Sequence, residues 1–172
     1  MTTRLRKILF VAWILILLLP TPASAVGDWD PDDVESPLDL RWIGAVYTQG
    51  GDITLTLSFY DPVPNRRFPR RDGEWTRGVW VRRVPWDPCC GEFGFIFRTT
   101  TGGLRFTWDE MQPTIPQTVP VERISSSILR VRFFPPHPGG YRLRAISVWP
   151  RDGSSVRDRT DVVDLGARPV EG

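Results

Sequence analysis

Residues 53–59 read Ile-Thr-Leu-Thr-Leu-Ser-Phe, with an apolar side chain at every second position. Such strict alternation predicts a β-strand that buries one face and leaves the other face polar. Upstream, Leu38, Leu40 and Trp42 alternate with charged residues, and Gly50-Gly51-Asp52 supplies a turn between the two segments. The pattern therefore predicts a β-hairpin made of these two strands.

Short alternating segments recur along the rest of the chain, separated by turns rich in glycine and proline. They lie at residues 79–82, 93–98, 104–108, 119–121, 129–133 and 141–145. No segment shows the sustained 3.6-residue period of a helix, and the 17 prolines are spread too evenly for long helices. About eight short strands with this punctuation predict an all-β fold, an antiparallel β-sandwich such as a jelly roll.

The N-terminus has the pattern of a secretory signal peptide. Three basic residues precede an apolar run from Ile8 to Leu19, and Ala23-Ser24-Ala25 follows two helix-breaking prolines. The run is about twelve residues long, whereas a membrane-spanning helix needs roughly 20. We therefore expect cleavage after Ala25, a secreted, extracellular protein and no stable membrane span after cleavage. An uncleaved membrane anchor is the alternative.

Cleavage would leave 147 residues, the length of one domain. We expect a signal peptide at 1–25, an acidic N-terminal segment at 26–37, a β-sandwich domain at 38–165 and a C-terminal tail at 166–172. Cleavage removes three of the 22 basic residues and none of the 20 acidic residues, so the net charge changes from +2 to −1. A nearly neutral mature chain argues against nucleic acid as a partner.

The sequence offers little for catalysis. His137 is the single histidine and lies in a proline-glycine turn. Serine and cysteine hydrolases need a positioned base beside the nucleophile, and a histidine zinc site needs several such ligands. Asp109-Glu110 is the best local carboxyl pair for glycoside hydrolysis, but a chain of this length commonly contains such pairs. We expect a protein that is not an enzyme, with a hydrolase as the less favoured alternative.

Aspartates are concentrated in the acidic segment and at the start of the first strand of the domain. They are Asp28, Asp30, Asp32, Asp33 and Asp39. Calcium takes six to eight oxygen ligands, and Asp158, Asp161 and Asp164 would join if the terminal strands are neighbours. The spacing does not match an EF-hand loop. Two interpretations stay open, a structural calcium site without any other cofactor, or a solvated, mobile terminus.

Cys89 and Cys90 are adjacent, in a turn bounded by Pro88 and Gly91. In an oxidising compartment they could form a strained vicinal disulfide. Neighbouring Cα atoms lie about 3.8 Å apart, closer than the roughly 5.5 Å of ordinary disulfides. Free thiols and an intermolecular bond are therefore the alternatives.

All 19 basic residues of the predicted mature chain are arginines. If residues 129–133 and 141–145 form a hairpin, burial of the apolar side chains places four arginines together on the opposite face. These are Arg130, Arg132, Arg142 and Arg144. Like charges opposite one another destabilise a sheet, so Glu122, other acids or an anionic partner should compensate them. The pattern predicts a docking face for an anionic polymer or protein, or else a solvated face that is neutralised internally.

Seven tryptophans remain after the predicted cleavage. Trp42, Trp108 and Trp149 lie on apolar faces and are expected in the core. Trp75, Trp80 and Trp86 lie opposite an apolar face or in loops, and are the candidates for exposure and for sugar binding. Secreted β-sandwich modules stack sugars on exposed aromatic rings, a likeness at the level of the fold only. Ordinary packing is the alternative use of such rings.

Three segments in this order resemble a set of small secreted actinobacterial-type β-sandwich proteins. They are Asp-Val-Glu-Ser-Pro-Leu-Asp-Leu at 33–40, Thr-Leu-Ser-Phe-Tyr at 56–60 and Tyr-Arg-Leu-Arg-Ala at 141–145. The resemblance covers most of the mature chain and implies export and the sandwich fold, but no functional residues. We expect a binding module for cell-surface polysaccharide or an anionic polymer. The alternative is a structural or accessory domain that contacts another extracellular protein.

Overall fold

The computed structural model describes residues 26–33, 35–65, 78–84, 92–99, 101–110, 117–135, 139–151 and 154–168. These residues form eleven β-strands and no helix, so none of them belongs to a helix that could cross a membrane. Several predictions fall outside the described residues. They concern the signal peptide at 1–25, Trp75, Trp86, Cys89, Cys90 and His137.

Eleven strands follow one another along the described residues. They are β1 (Val26–Trp29), β2 (Leu40–Tyr47), β3 (Ile53–Phe59), β4 (Gly78–Arg83), β5 (Glu92–Arg98), β6 (Leu104–Glu110), β7 (Gln117–Ser125), β8 (Ile128–Phe133), β9 (Arg142–Arg151), β10 (Ser154–Arg159) and β11 (Val163–Asp164).

All pairings between these strands are antiparallel, in the order β1-β2-β3-β8-β7-β6-β5-β4-β9-β10, with β11 paired to β9. Strand β7 connects two halves, because residues 117–120 pair with β6 whereas residues 121–125 pair with β8. We call β1, β2, β3, β8 and the second part of β7 the first half-sheet, and the remaining strands the second half-sheet. The sheet curls into a half-barrel. The all-β antiparallel prediction is confirmed, whereas the sandwich stays a prediction, since β7 is shared between the two half-sheets.

The core lies inside the curl and takes side chains from both halves. Ile53, Leu55, Leu57 and Phe59 are at most 1% exposed, and β3 pairs with β2 as predicted. Trp108 of β6 stacks on Phe133 of β8 with 4.8 Å between ring centroids. Aromatic packing of this kind joins the two half-sheets into one hydrophobic core.

A buried carboxylate is surrounded by donors at one end of this core. Glu92 is 2% exposed and forms an ion pair with Arg83 of the neighbouring strand β4. The Tyr141 hydroxyl donates to Glu92 Oε2 at 2.7 Å and the Trp108 indole N–H donates to the same oxygen at 3.3 Å. Arg83 also lies over the Tyr141 ring, 4.7 Å from its centroid. These contacts connect four neighbouring segments of the second half-sheet.

The predicted hairpin between residues 129–133 and 141–145 is wrong. Strand β8 pairs with β3 and β7, whereas β9 pairs with β4, β10 and β11. The connection between β8 and β9 therefore crosses from one half-sheet to the other. The alternation of side chains correctly indicated which face of each strand is buried, but it carries no information about the neighbouring strand.

Candidate functional site

The surface opposite the core on the first half-sheet, here called the outer face, collects polar and aromatic side chains. Alternate side chains of a strand point to opposite sides, so the residues between the buried ones form this face. Strand register aligns them in rows. One row contains Gly27, Gly44, Thr56, Arg130 and Glu122. The next row contains Val46, Thr54 and Arg132.

A groove of about 540 Å³ runs over these two rows. Its lining is Val46, Thr54, Thr56, Pro120, Glu122, Arg130 and Arg132. Two hydroxyls, two guanidinium groups and one carboxylate therefore surround a partly apolar floor. Sites with a few convergent polar groups on an apolar surface are typical of ligand recognition.

The charges in the groove are matched. Arg132 Nε donates to Asp52 Oδ2 at 2.7 Å, and Arg130 lies directly opposite Glu122 on the neighbouring strand. The side chain of Arg132 is still 61% exposed. Glu122 is thus the register partner of Arg130, and its compensation of the arginine charge stays a prediction. The groove consequently presents donors and acceptors of hydrogen bonds with little net charge.

Trp42 lies beside the groove on the outer face. A Cβ added to Gly44 would fall 2.0 Å from Trp42 Cη2, and one added to Gly27 would fall 2.5 Å from Cζ2. The indole ring therefore lies flat against the sheet, on the space left by two glycines. Gly44 is the register partner of Thr56, which lines the groove. An aromatic ring that covers glycines in this way also protects the exposed sheet backbone.

The prediction of Trp42 in the core is wrong because the register shifts between Leu40 and Trp42. Leu40 is buried before this β-bulge and Ile43 is buried after it, so the even positions face inward first and the odd positions afterwards. A bulge inserts one unpaired residue and turns the following side chains over. The adjacent apolar pair Trp42-Ile43 is the local sequence signal that could have indicated this change.

An exposed aromatic pair lies at the end of the outer face, which the sequence analysis did not identify. Trp29 is 66% exposed and Tyr60 is 37% exposed. The guanidinium carbon of Arg41 lies 5.3 Å from the centroid of the Trp29 ring and 5.8 Å from that of Tyr60. Trp29 is the register partner of Trp42, so both rings belong to the same face of the sheet.

The remaining predicted binding residues lie on the second half-sheet. Arg142 faces Asp164 at 3.5 Å, and Arg144 lies opposite Arg82 of β4. They therefore do not share a face with Arg130 and Arg132, contrary to the predicted four-arginine face. Trp80, a candidate for exposure, is instead half-buried, because its strand β4 lies between β5 and β9. Trp149 packs against the core, and Trp108 is buried in it as predicted.

A second cluster, made of carboxylates, lies where the two ends of the curled sheet meet. Carboxylate oxygens of Asp33, Asp39 and Asp158 lie within 4.8 Å of one another. Asp39 is 2% exposed and Asp158 is 5% exposed. Asp158 Oδ2 accepts a hydrogen bond from the Leu40 backbone N–H at 2.7 Å, which connects β10 to the start of β2.

The pKa of Asp30, beside this cluster, is raised to about 7 by burial and by the charge of Asp158. Of the other aspartates considered for calcium, Asp28 accepts a hydrogen bond from the Trp29 backbone N–H, and Asp32 is exposed. Asp161 is exposed, and Asp164 pairs with an arginine. The structure thus unites two of the predicted positions, Asp33 and Asp39, with the tail aspartate Asp158, and places Asp30 beside them. Clustered carboxylate oxygens suit calcium, and calcium binding stays a prediction.

Comparison of the chain with protein-family models, with curated proteins and with solved structures gives no match.

Proposed function

We propose that the protein is an exported, non-enzymatic binding module that holds a neutral polysaccharide on the outer face of the first half-sheet. The observation that carries this proposal is the Trp42 ring, laid flat over Gly27 and Gly44 beside a groove of hydroxyl, guanidinium and carboxylate groups. The resemblance to small secreted proteins supports the export part. The curl, which wraps both half-sheets around one core, supports a sandwich-like classification such as a jelly roll.

The chemistry of a sugar matches these groups. A pyranose ring has an apolar C–H face that packs on a flat indole, and its edge carries hydroxyls that both donate and accept hydrogen bonds. Thr54 and Thr56 can do the same, while Arg130 supplies donors and Glu122 supplies acceptors. Hydrogen bonds from charged side chains are stronger than neutral ones, so a matched pair of charges is suited to a ligand without charge.

The balance of charge favours a neutral chain over a polyanion. Two arginines of the groove face Asp52 and Glu122, so a phosphate or sulfate polymer would meet carboxylates as well as guanidinium groups. Polyanion binding through arginines weakens steeply with salt because bound counterions are released. Stacking and hydrogen bonding to a neutral sugar release no counterions, so binding of a neutral polysaccharide should persist at high ionic strength.

The proposal of a non-enzymatic role rests on the carboxyl groups of the groove. Among the described residues, Glu122 is the single carboxylate that lines it, while Asp52 lies beside it and accepts a hydrogen bond from Arg132. Glycoside hydrolysis ordinarily needs two carboxyls that flank the scissile bond. The groove is therefore suited to holding a chain.

Affinity electrophoresis of the purified protein tests this proposal. The gels contain hydroxyethylcellulose, pullulan or galactomannan as neutral probes, and polygalacturonate or heparin as polyanions. We expect retardation by a neutral probe that persists at about 0.5 M NaCl, where the Debye length is only a few ångströms. Trp42→Ala and Arg130→Gln should each weaken it about tenfold, equivalent to about 1.4 kcal/mol.

Arg142→Gln is the matched control, because this arginine is also exposed but lies on the second half-sheet. It should leave the retardation unchanged. Binding only to the polyanions with loss at high salt, or retardation that Trp42→Ala and Arg130→Gln do not alter, would overturn the proposal.

A further inference from the structure

We infer that the outer face has a second sugar subsite at Trp29 and Tyr60, so that the protein recognises an extended chain and not its terminal sugars. This inference rests on the proposed function, and it assigns the length of the ligand and its direction across the sheet.

The exposure of Trp29 is the first observation. Two-thirds of its surface faces solvent, on an edge strand where a smaller or polar residue would suffice for β-pairing. Tryptophan has a large apolar surface, so covering an exposed ring with a ligand lowers the free energy of the system. Exposed aromatic residues are accordingly enriched where partners bind.

The second observation is that this end of the outer face is already ordered. Arg41, the residue at the bulge, lies against the rings of both Trp29 and Tyr60. The Tyr60 hydroxyl donates to the Asp30 carbonyl at 2.7 Å, and the Asp30 N–H donates to the Arg41 carbonyl at 3.0 Å. Cation–π contact and backbone hydrogen bonds therefore position the aromatic pair before any ligand arrives, which lowers the entropic cost of binding.

The third observation is continuity with the groove. Trp29 pairs with Trp42, and Trp42 covers Gly44, the register partner of Thr56. With strands about 4.8 Å apart and rows about 6.8 Å apart, Trp29 lies about 12 Å from Thr56 across the sheet. A single sugar in the groove does not reach that far, whereas a chain that passes over Trp42 does.

A chain that occupies both subsites gains affinity without any new contact in the groove, because the second contact becomes intramolecular. Affinity should therefore rise with chain length until Trp29 is covered. A protein that used the groove alone would bind short and long chains of the same sugar equally.

Calorimetric titration with the disaccharides and hexasaccharides of the cello-, malto- and manno-series tests the inference. We expect Trp29→Ala to weaken binding of a hexasaccharide about tenfold and to leave the disaccharide within about twofold. Trp42→Ala should weaken both. Because Trp29 is exposed, Trp29→Ala should retain the melting temperature of the parent protein, and Trp29→Phe should restore part of the hexasaccharide affinity.

Phe134→Ala is the directional control. Phe134 is 46% exposed, and the guanidinium carbon of Arg168 lies 4.3 Å from the centroid of its ring. It comes two residues after Arg132, at the end of the groove that is farther from Trp29. It should leave hexasaccharide binding unchanged. If Trp42→Ala weakens binding whereas Trp29→Ala does not, the second subsite is refuted and the groove stands. If no probe binds, or Trp42→Ala has no effect on any of them, the proposed function and the second subsite both fail.

Discussion

Replacing Glu92 with glutamine tests how strongly one buried carboxylate stabilises the fold. Glutamine keeps the volume of the side chain and can still accept hydrogen bonds, but it carries no charge. Glu92 accepts from Arg83, Trp108 and Tyr141. A hydrogen bond to a charged group contributes about 1 kcal/mol more than a neutral one. Three such donors therefore predict a loss of about 3 kcal/mol in the free energy of unfolding.

Urea unfolding followed by tryptophan fluorescence measures this loss directly. In a thermal scan it corresponds to a decrease of about 9 °C in Tm for a chain of this size. Glu122→Gln is the matched control, because the same substitution at an exposed residue should change the free energy by less than about 0.5 kcal/mol. A loss below about 1 kcal/mol at Glu92 would show that its donors find equivalent acceptors without the carboxylate, and would refute this reasoning.

Gly44→Ala should displace the Trp42 ring and destabilise the fold by about 1–3 kcal/mol. The chemical shift of the Trp42 indole N–H reports the displacement of the ring, and urea unfolding reports the loss of stability. Gly103→Ala is the control, because the added Cβ would meet its nearest neighbour at 3.6 Å, and it should change neither the chemical shift nor the stability. The pKa of Asp30 is about 7 in the folded protein against an ordinary 3.8, so the native state binds more protons between these values. Stability should therefore fall as pH rises through this range. In EDTA, Asp30→Asn should make the Tm at about pH 5 and the Tm at about pH 8 more alike than they are in the parent protein. An unchanged Tm difference would contradict the assignment of the pH effect to Asp30. Arg132→Gln breaks a solvent-exposed ion pair, so urea unfolding should change by less than about 1 kcal/mol, and a larger loss would indicate a structural role for this arginine.

The candidate site was only partly predictable from sequence. Arg130 and Arg132 were expected on a polar face with Glu122 nearby, and the structure places all three in the groove. Their local alternation was sufficient to place the two arginines on the polar face, whereas the position of Glu122 depends on the pairing of β7 with β8. Trp42 was assigned to the wrong face, because a bulge reverses the alternation, and the register of a bulge depends on the partner strand.

The exposure of Trp29 could not be read from its neighbours in the chain. It depends on β1 pairing with β2 as the edge strand, which leaves the ring on the outer face beside Trp42. Likewise, Asp33 and Asp39 were candidates for a carboxylate cluster, but only the curl of the sheet brings Asp158 to them.

The sequence by itself determined that the domain is all-β and antiparallel, and which side chains of Ile53–Phe59 and Ile128–Phe133 are buried. It did so because the two-residue period of a strand is a local property. The tertiary structure alone decided that β8 lies between β3 and β7, that β7 joins both half-sheets, and that the outer face combines Trp29, Trp42 and the groove. Strand pairing brings together residues that are distant in the chain, and it is selected by the packing of the whole core, which no single segment encodes.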